Sequence, residues 1–472
     1  MSSKCVTAMQ AMYKVVKSLV RYKSKTSEFL NSNIGVKQGD PSSSLMFLFF
    51  VNDLVSSFNS NIDGLFSIDD VKLFILLFCD DAVLFAETPD ALQLLLNDLD
   101  SYCQTWKLKV NTKKTKIMIF EKGRHTKHDF ILDNTILEIV DNFKYLGIQL
   151  YKNGNWFRTQ KTLAAHSKRA MHKLFIIFNK IELAVSDKCK LFDSLVGSIL
   201  SYSAEVWGYH ESKDIELVHC KFIRKILCVK RSTNLEGLYG ELGRHPLKIQ
   251  RKLTLLKYWL KIINSNNTLV KSVYNMMRND VDNNNTYGGN NWAFQIKTML
   301  SEIGLNNLWC YQNNLTNRLN SNYNYIKQRI IDIYMQSWYA EINNSRRLDS
   351  YCIYKQEFKL EAYLDQIKIN KYRIALTKFR LSSHNLEIET GRHGNIPRAD
   401  RKCKKCNSDV IEDEYHFLLV CPLYRELRQQ YLKPYYCHLP TINKFENIMS
   451  SKSTSIIYSL SKYIYFAFQL HQ

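Results

Sequence analysis

Glycine and proline are scarce in this chain of 472 residues, at 16 and 7. Few positions therefore break regular structure, and long helices and strands should dominate. Long apolar runs are also missing. The longest, Leu45 to Val51, is far too short to cross a bilayer. The opening MSSKCVTAMQ has neither an apolar signal core nor a cleavage pattern. An intracellular protein, nuclear or cytoplasmic and not secreted, is the expectation. Its 12 cysteines then read as thiols or metal ligands rather than as a disulfide frame. Acids are the minority charge, 44 against 65 Lys and Arg, giving +21. Such an excess favours an anionic polymer as partner; a membrane surface is the rival reading, weakened by the short apolar runs. Apolar residues make up 45% of the chain and aromatics 12%, enough for real cores. The length suits roughly two to four domains.

The pattern along the chain changes character. Met9, Met12, Val15, Val16 and Leu19 at helical spacing predict a helix over residues 5–22. Residues 71–86 read as an apolar hairpin. Thr88-Pro89-Asp90 starts a helix over 90–106, expected to pack on that hairpin through Leu92, Leu95, Leu96, Leu99, Cys103 and Trp106. Residues 115–120 and 143–150 look like strands. From 156 to 262 the pattern is helical and basic. Asn-rich stretches at 264–267 and 279–291 suggest a flexible junction. Helices resume over 292–390. The domains so expected are 1–150, 151–263, the junction 264–291, 292–400 and 401–472.

Asp80 and Asp81 lie between two strongly apolar strands in LFILLFCDDAVLFAE. Carboxylates there are costly unless a cation compensates them. Mg²⁺ suits such a site, since it takes one or two carboxylates plus phosphate oxygens. An ordinary polar hairpin turn is the competing reading.

The neighbours of the pair add to this. GVKQGDPSSSLMFLFFVNDL precedes it at 35–54, LKVNTKKTKIMIF comes after it at 108–120, and FKYLGI at 143–148. In this order and spacing the four segments resemble the palm of non-LTR (LINE-type) retrotransposon reverse transcriptases. AEVWG at 204–208, LYGELGRHPL at 238–247 and the stretch from Trp292 to Trp309 resemble the segments beyond the palm in those elements. The resemblance implies an α/β palm, a helical thumb and connection, and RNA-templated DNA synthesis, in which a primer 3′-hydroxyl attacks a nucleotide α-phosphate. It puts Gln38 and Gly39 at the nascent base pair and Asp80 and Asp81 at Mg²⁺. Lys114 would approach the phosphates, and Phe143, Tyr145, Leu146 and Gly147 would support the primer end. RNA template and DNA primer are the implied partners. Cys79 stands where the family usually has Ala, and Ser44 where Pro is common.

The family's chemistry needs another carboxylate from an earlier strand. Residues 1–34 hold no Asp and one acid, Glu28. The chain is therefore expected to start after that motif, to lack the fingers and any endonuclease, and to be inactive alone. The alternative function is a non-catalytic RNA- or DNA-binding protein.

Two further features bear on that alternative. The basic middle includes Lys168, Arg169, Lys173, Arg244 and Arg251, and above all Lys221, Arg224, Lys225, Lys230 and Arg231. Any one of these is more simply a solvated side chain, but together they suit phosphates. Cys403, Cys406, His416 and Cys421 have the spacing C-x₂-C-x₉-H-x₄-C. Three thiolates and an imidazole complete a closed tetrahedral site, so a structural Zn²⁺ in a small knuckle is expected. Unrelated thiols in a reduced protein are the plainer reading. Lys402, Lys404 and Lys405 flank the cluster and could meet phosphates, and Cys437 and His438 are reserve ligands.

Overall fold

The computed structural model describes residues 3–31, 35–37, 39–68, 71–120, 128–283, 291–315, 318–406 and 408–471. The chain divides into two compact units, Met1–Asp141 and Asn142–Gln472.

The first unit is the mixed α/β part. Its opening helix is Ser3–Lys14, which stops short of the expected residue 22 and buries nothing. Val15, Val16, Val20 and Tyr22 suit extended backbone better than helix. Accordingly Lys17–Ser18 pairs with Leu30–Asn31, and inside that pair Arg21–Tyr22 pairs with Lys25–Thr26. The helix Pro41–Phe50 is capped by Asp40, whose carboxylate accepts from the Ser42 N–H at 2.9 Å and its hydroxyl at 2.7 Å.

The expected hairpin is present as Ile75–Phe78 antiparallel to Asp81–Leu84. The helix after it runs Pro89–Trp106, with the Thr88 hydroxyl accepting from Ala91 N–H at 3.2 Å. Hairpin and helix share one core, in which Ile75, Leu95 and Tyr102 meet Val51, Leu54 and Phe58. The Tyr102 hydroxyl donates to Asp53 at 2.6 Å, and burial raises its pKa further than that bond does. Trp106 is not part of the stripe. It is 42% exposed, because the helix ends there and the chain turns away at Lys107 with φ 56°. The expected 115–120 strand shrinks to Lys116–Ile117, in parallel register with Glu138–Ile139. Among the described residues strands pair only two by two.

The second unit is helical apart from the hairpin Asn142–Tyr145 and Ile148–Tyr151. One core cluster runs through it from Ile148 to Ala467. The expected subdivision at 263, 291 and 400 therefore does not correspond to separate cores. The expected boundary at 150 also moves. The hairpin packs on the long helix Phe157–Lys180, where Thr159 donates to the Gln149 carbonyl, so it belongs with the helical unit. Most of the expected Asn-rich junction is the helix Thr268–Asp282, capped by Asn267. Residues 284–290 lie outside the described residues. Asparagine at a helix start supplies an acceptor for free N–H groups, and here Asn267 and Asn291 each begin a helix.

Inside this core Arg380 is 2% exposed. Its Nε donates to Glu241 at 2.6 Å, Nη1 to the Met449 carbonyl at 2.7 Å, and Nη2 pairs with Glu361 at 3.1 Å. Arg380→Ala leaves the buried Glu241 carboxylate without its cation, while Glu361 keeps Lys355. It should cost about 3–5 kcal/mol and lower the urea midpoint of the second unit, read by tryptophan fluorescence.

Candidate nucleic-acid and metal sites

The aspartate pair is built by a tight turn. Cys79 and Asp80 form the two-residue turn, and Asp81 already pairs with Phe78 in the ladder. Cys79 has φ 51°, in the left-handed region. A small side chain tolerates that strain better than a β-branched one. The sequence pattern suggests both aspartates in the turn. The register puts only Asp80 there, and both are exposed.

Gln38 lies outside the described residues. Gly39 has φ 86°, a conformation that favours glycine, just ahead of the Asp40 cap. Lys114 sits in a turn where its N–H donates to the Asn111 carbonyl at 2.9 Å, and its side chain is exposed.

The 142–151 hairpin is more tightly determined. Leu146 and Gly147 have φ 45° and 84°. Two positive φ values are the signature of a type I′ turn, whose twist matches the strands it joins. Phe143 faces Leu150 and Tyr145 faces Ile148, with Ile148 buried in the core of the second unit. The Tyr202 hydroxyl donates to the Leu146 carbonyl at 2.7 Å. A Cβ on Gly147 would stand 3.1 Å from the Tyr202 ring. Tyr202 is a positioning residue invisible in the sequence, because its only signal is a contact 56 residues away.

The basic residues have unequal roles. Lys161, Lys168, Arg169 and Lys173 stand exposed along Phe157–Lys180. Lys221 and Arg231 are also exposed. Lys225 lies 4.0 Å from the Phe175 ring centre. Arg224 is half-buried, with its Nε unpaired. Lys230 is held by the fold. Its ammonium donates to the His384 carbonyl at 2.8 Å and to Asn385, and burial lowers its pKa. Of the lysines flanking the cysteine cluster, Lys402 pairs with Asp409 at 2.7 Å and Lys404 with Glu387 at 2.9 Å.

Cys403, Cys406, His416 and Cys421 converge. Their ligand atoms all lie within 4.8 Å of one another, so the cluster can hold a metal ion. Cys437 and His438 are not part of it. Cys406 Sγ and His416 Nε2 are 3.4 Å apart, so Nε2 is the nitrogen turned inward. The expected single helical turn between His416 and Cys421 is a π-turn, with Cys421 N–H donating to the His416 carbonyl at 2.8 Å. The wider turn brings residues five apart in sequence onto one side. The other two ligands come from a loop closed by Cys403 N–H to the Val410 carbonyl at 2.9 Å. Cys403, Phe417 and Cys421 are buried in the main core, so the cluster expected as a small knuckle is part of the helical unit's core.

Residues 2–150 match the family described as reverse transcriptase (RNA-dependent DNA polymerase). An uncharacterized transposon-derived protein of Caenorhabditis elegans is 28% identical over 186 residues, which cover 37% of this chain and 63% of that one. The RNA-directed DNA polymerase from mobile element jockey of Drosophila funebris is 26% identical over 206 residues, 41% of this chain and 22% of the relative. These matches support a kinship with LINE-type reverse transcriptases, with the family match confined to residues 2–150. The chain spans less than two thirds of the length of either relative. No helix among the described residues is long and apolar enough to cross a membrane.

The 142–151 hairpin should loosen when its turn is strained. Gly147→Ala meets both a positive φ and the Tyr202 ring, and should cost about 1 kcal/mol or more. Hydrogen exchange of amides 142–151 should speed up, while that of the Lys213–Leu227 helix stays unchanged.

Proposed function

We propose that this reverse transcriptase chain binds nucleic acid and does not extend a primer by itself. One observation carries the proposal. Asp80 and Asp81 are exposed, and the Cys403 group is the only cluster of three or more metal-ligand side chains among the described residues. Two-ion phosphoryl transfer needs ligands that hold both cations at fixed separation. Two adjacent exposed carboxylates suit one hydrated Mg²⁺ and a phosphate, but they do not fit a two-ion centre, so no catalytic step is assigned to them. Consistent with this, Leu76 and Phe78 of the hairpin are 38% and 57% exposed, without a further strand beside them among the described residues. Glu28, the one acid in residues 1–34, lies in a separate exposed strand pair region.

Nucleic-acid binding draws its support from the +21 charge and the exposed basic row along Phe157–Lys180. RNA template and DNA primer or target are the partners this reading assigns. Their binding should weaken steeply with salt, because each phosphate contact releases about one counterion.

The test of inactivity is primer extension on an RNA template with Mg²⁺ or Mn²⁺. We expect no product above background. Robust extension that Asp80→Ala abolishes would overturn the proposal.

For the cysteine cluster the reading is one structural Zn²⁺. In a tetrahedral site with Zn–S near 2.3 Å the ligand atoms lie roughly 3.5–3.8 Å apart, which the observed spread accommodates with small shifts. Four protein ligands leave no open position, so the ion would act through stability and not through chemistry. Mass spectrometry under native conditions should find about one zinc per chain. Cys403→Ser with Cys421→Ser should remove it and lower the melting temperature of the whole second unit, because both thiols are part of its core. Stoichiometric zinc retained by that double variant would rule out this ligand set.

A further inference from the structure

The second unit contains a cavity of about 680 Å³, lined by none of the cysteine-cluster residues. Arg244, His245, Gln250, Arg251 and Lys327 line it, together with Asp193. It sits at the start of the helix Leu247–Ile263, where the cap residue Pro246 offers no side-chain acceptor and the Leu247 N–H donates to Glu216. A helix start favours anions, though only modestly by itself.

The deciding feature is Arg251. It is 2% exposed, it lines the cavity, and its Nε and Nη1 donate to nothing. Its remaining charge contact is Nη2 to Glu216 at 3.1 Å. Glu216 is also taken by the Leu247 N–H at 3.1 Å. A buried guanidinium with unused donors is costly, and an anion would relieve that cost. His245 Nε2, also buried, has no partner either. Arg244 is held rigid at the wall by both Asp193 oxygens and by His219 Nε2 at 3.3 Å. His219 stays neutral there, because burial first, then Arg244 and Arg251, depress its pKa. Lys327 is exposed at the cavity. Three cations thus face Asp193 in the lining, with Glu216 engaged by Arg251.

We propose that this cavity binds a single phosphate group of a nucleic-acid backbone, with Arg251 and Lys327 as its cationic contacts. The proposal rests on the nucleic-acid reading above and adds a defined phosphate position to it. By sequence, Arg244 and Arg251 count only as part of a diffuse basic surface. The fold instead sinks both into one cavity and adds Lys327 from a helix far along the chain.

Two substitutions test the cavity without disturbing the buried pair. Lys327→Ala removes the exposed cation, and Gln250→Glu adds a carboxylate at an exposed lining position. Lys261→Ala, exposed at the far end of the helix Leu247–Ile263, is the control. Affinity of the full chain for a fluorescein-labelled single-stranded RNA is measured by anisotropy over a salt series. In parallel, the melting temperature is followed in inorganic phosphate against chloride at equal ionic strength. Lys327→Ala and Gln250→Glu should each weaken RNA binding about fivefold, and Lys327→Ala should lower the salt slope by about one. Lys261→Ala should change affinity less than about twofold. Phosphate should raise the melting temperature of the unsubstituted chain and of Lys261→Ala more than that of the other two. Equal RNA affinity in all four proteins, with no phosphate effect on melting, overturns the proposal. A phosphate effect lost in both cavity variants, with RNA affinity unchanged, overturns the nucleic-acid source and leaves a site for free phosphate. If the unsubstituted chain binds no RNA, the proposed function falls, and the melting series still decides whether the cavity takes the anion.

Discussion

The helical unit depends on one buried guanidinium. Arg380 joins Glu241, Glu361 and the Met449 carbonyl, which come from three distant parts of the chain. Burial by itself would lower its pKa, but the two carboxylates hold it firmly charged. Tyr354 and Tyr363 stack beside it at 4.7 and 5.3 Å. Such a cluster is a poor source of net stability, since desolvation offsets most of the attraction. What it supplies is register. Glu361 N–H donates to the Glu241 carbonyl at 3.0 Å, and Leu242 bridges Leu360. Gly243 allows that approach, because a Cβ there would come within 2.6 Å of the Lys359 backbone. The segment LYGELGRHPL thereby reaches from the polar centre at Glu241 to the phosphate cavity at Arg244 and His245.

The two candidate metal-related sites differ in how they are supported. Asp80 and Asp81 stand on a two-stranded hairpin with its outer side chains in solvent. Little around them fixes ligand geometry beyond the turn itself. The thiol cluster is the opposite case. A π-turn sets His416 and Cys421, a closed loop sets Cys403, and both ends are embedded in the helical core. Preorganisation of this kind is what a closed structural metal site requires.

Local signals in the sequence are legible where the chain needs only its neighbours. Thr88-Pro89-Asp90 starts a helix because a hydroxyl acceptor and a proline without an N–H both suit a first turn. The Cys79–Asp80 turn and the LG turn of FKYLGI fall between the expected strands, although Asp81 is drawn into its strand. The departures share a cause. The helix expected through residue 22 stops at Lys14, because spacing of apolar residues says nothing about which of them find a core. The Asn-rich stretches at 264–267 and 279–291 suggest a flexible junction, yet most of it is the helix Thr268–Asp282, where Tyr274 and Val281 bury themselves in the helical unit. Lys230 has the look of a phosphate ligand until the His384 carbonyl accounts for it.

By itself the sequence determined the family motifs, the basic charge, the spacing of the zinc-type ligands and the turns that carry Asp80 and Gly147. Those properties depend on residue type and short separation, which a linear pattern records. Only the tertiary structure decided where the units divide, that the cysteine cluster belongs to the main core, and which basic side chains remain available. Arg251 is the clearest example. Its sequence neighbours mark it as one more surface cation on a helix, but packing buries it with unused donors at a cavity wall. Burial and pairing are set by residues far away along the chain, so no local pattern can supply them.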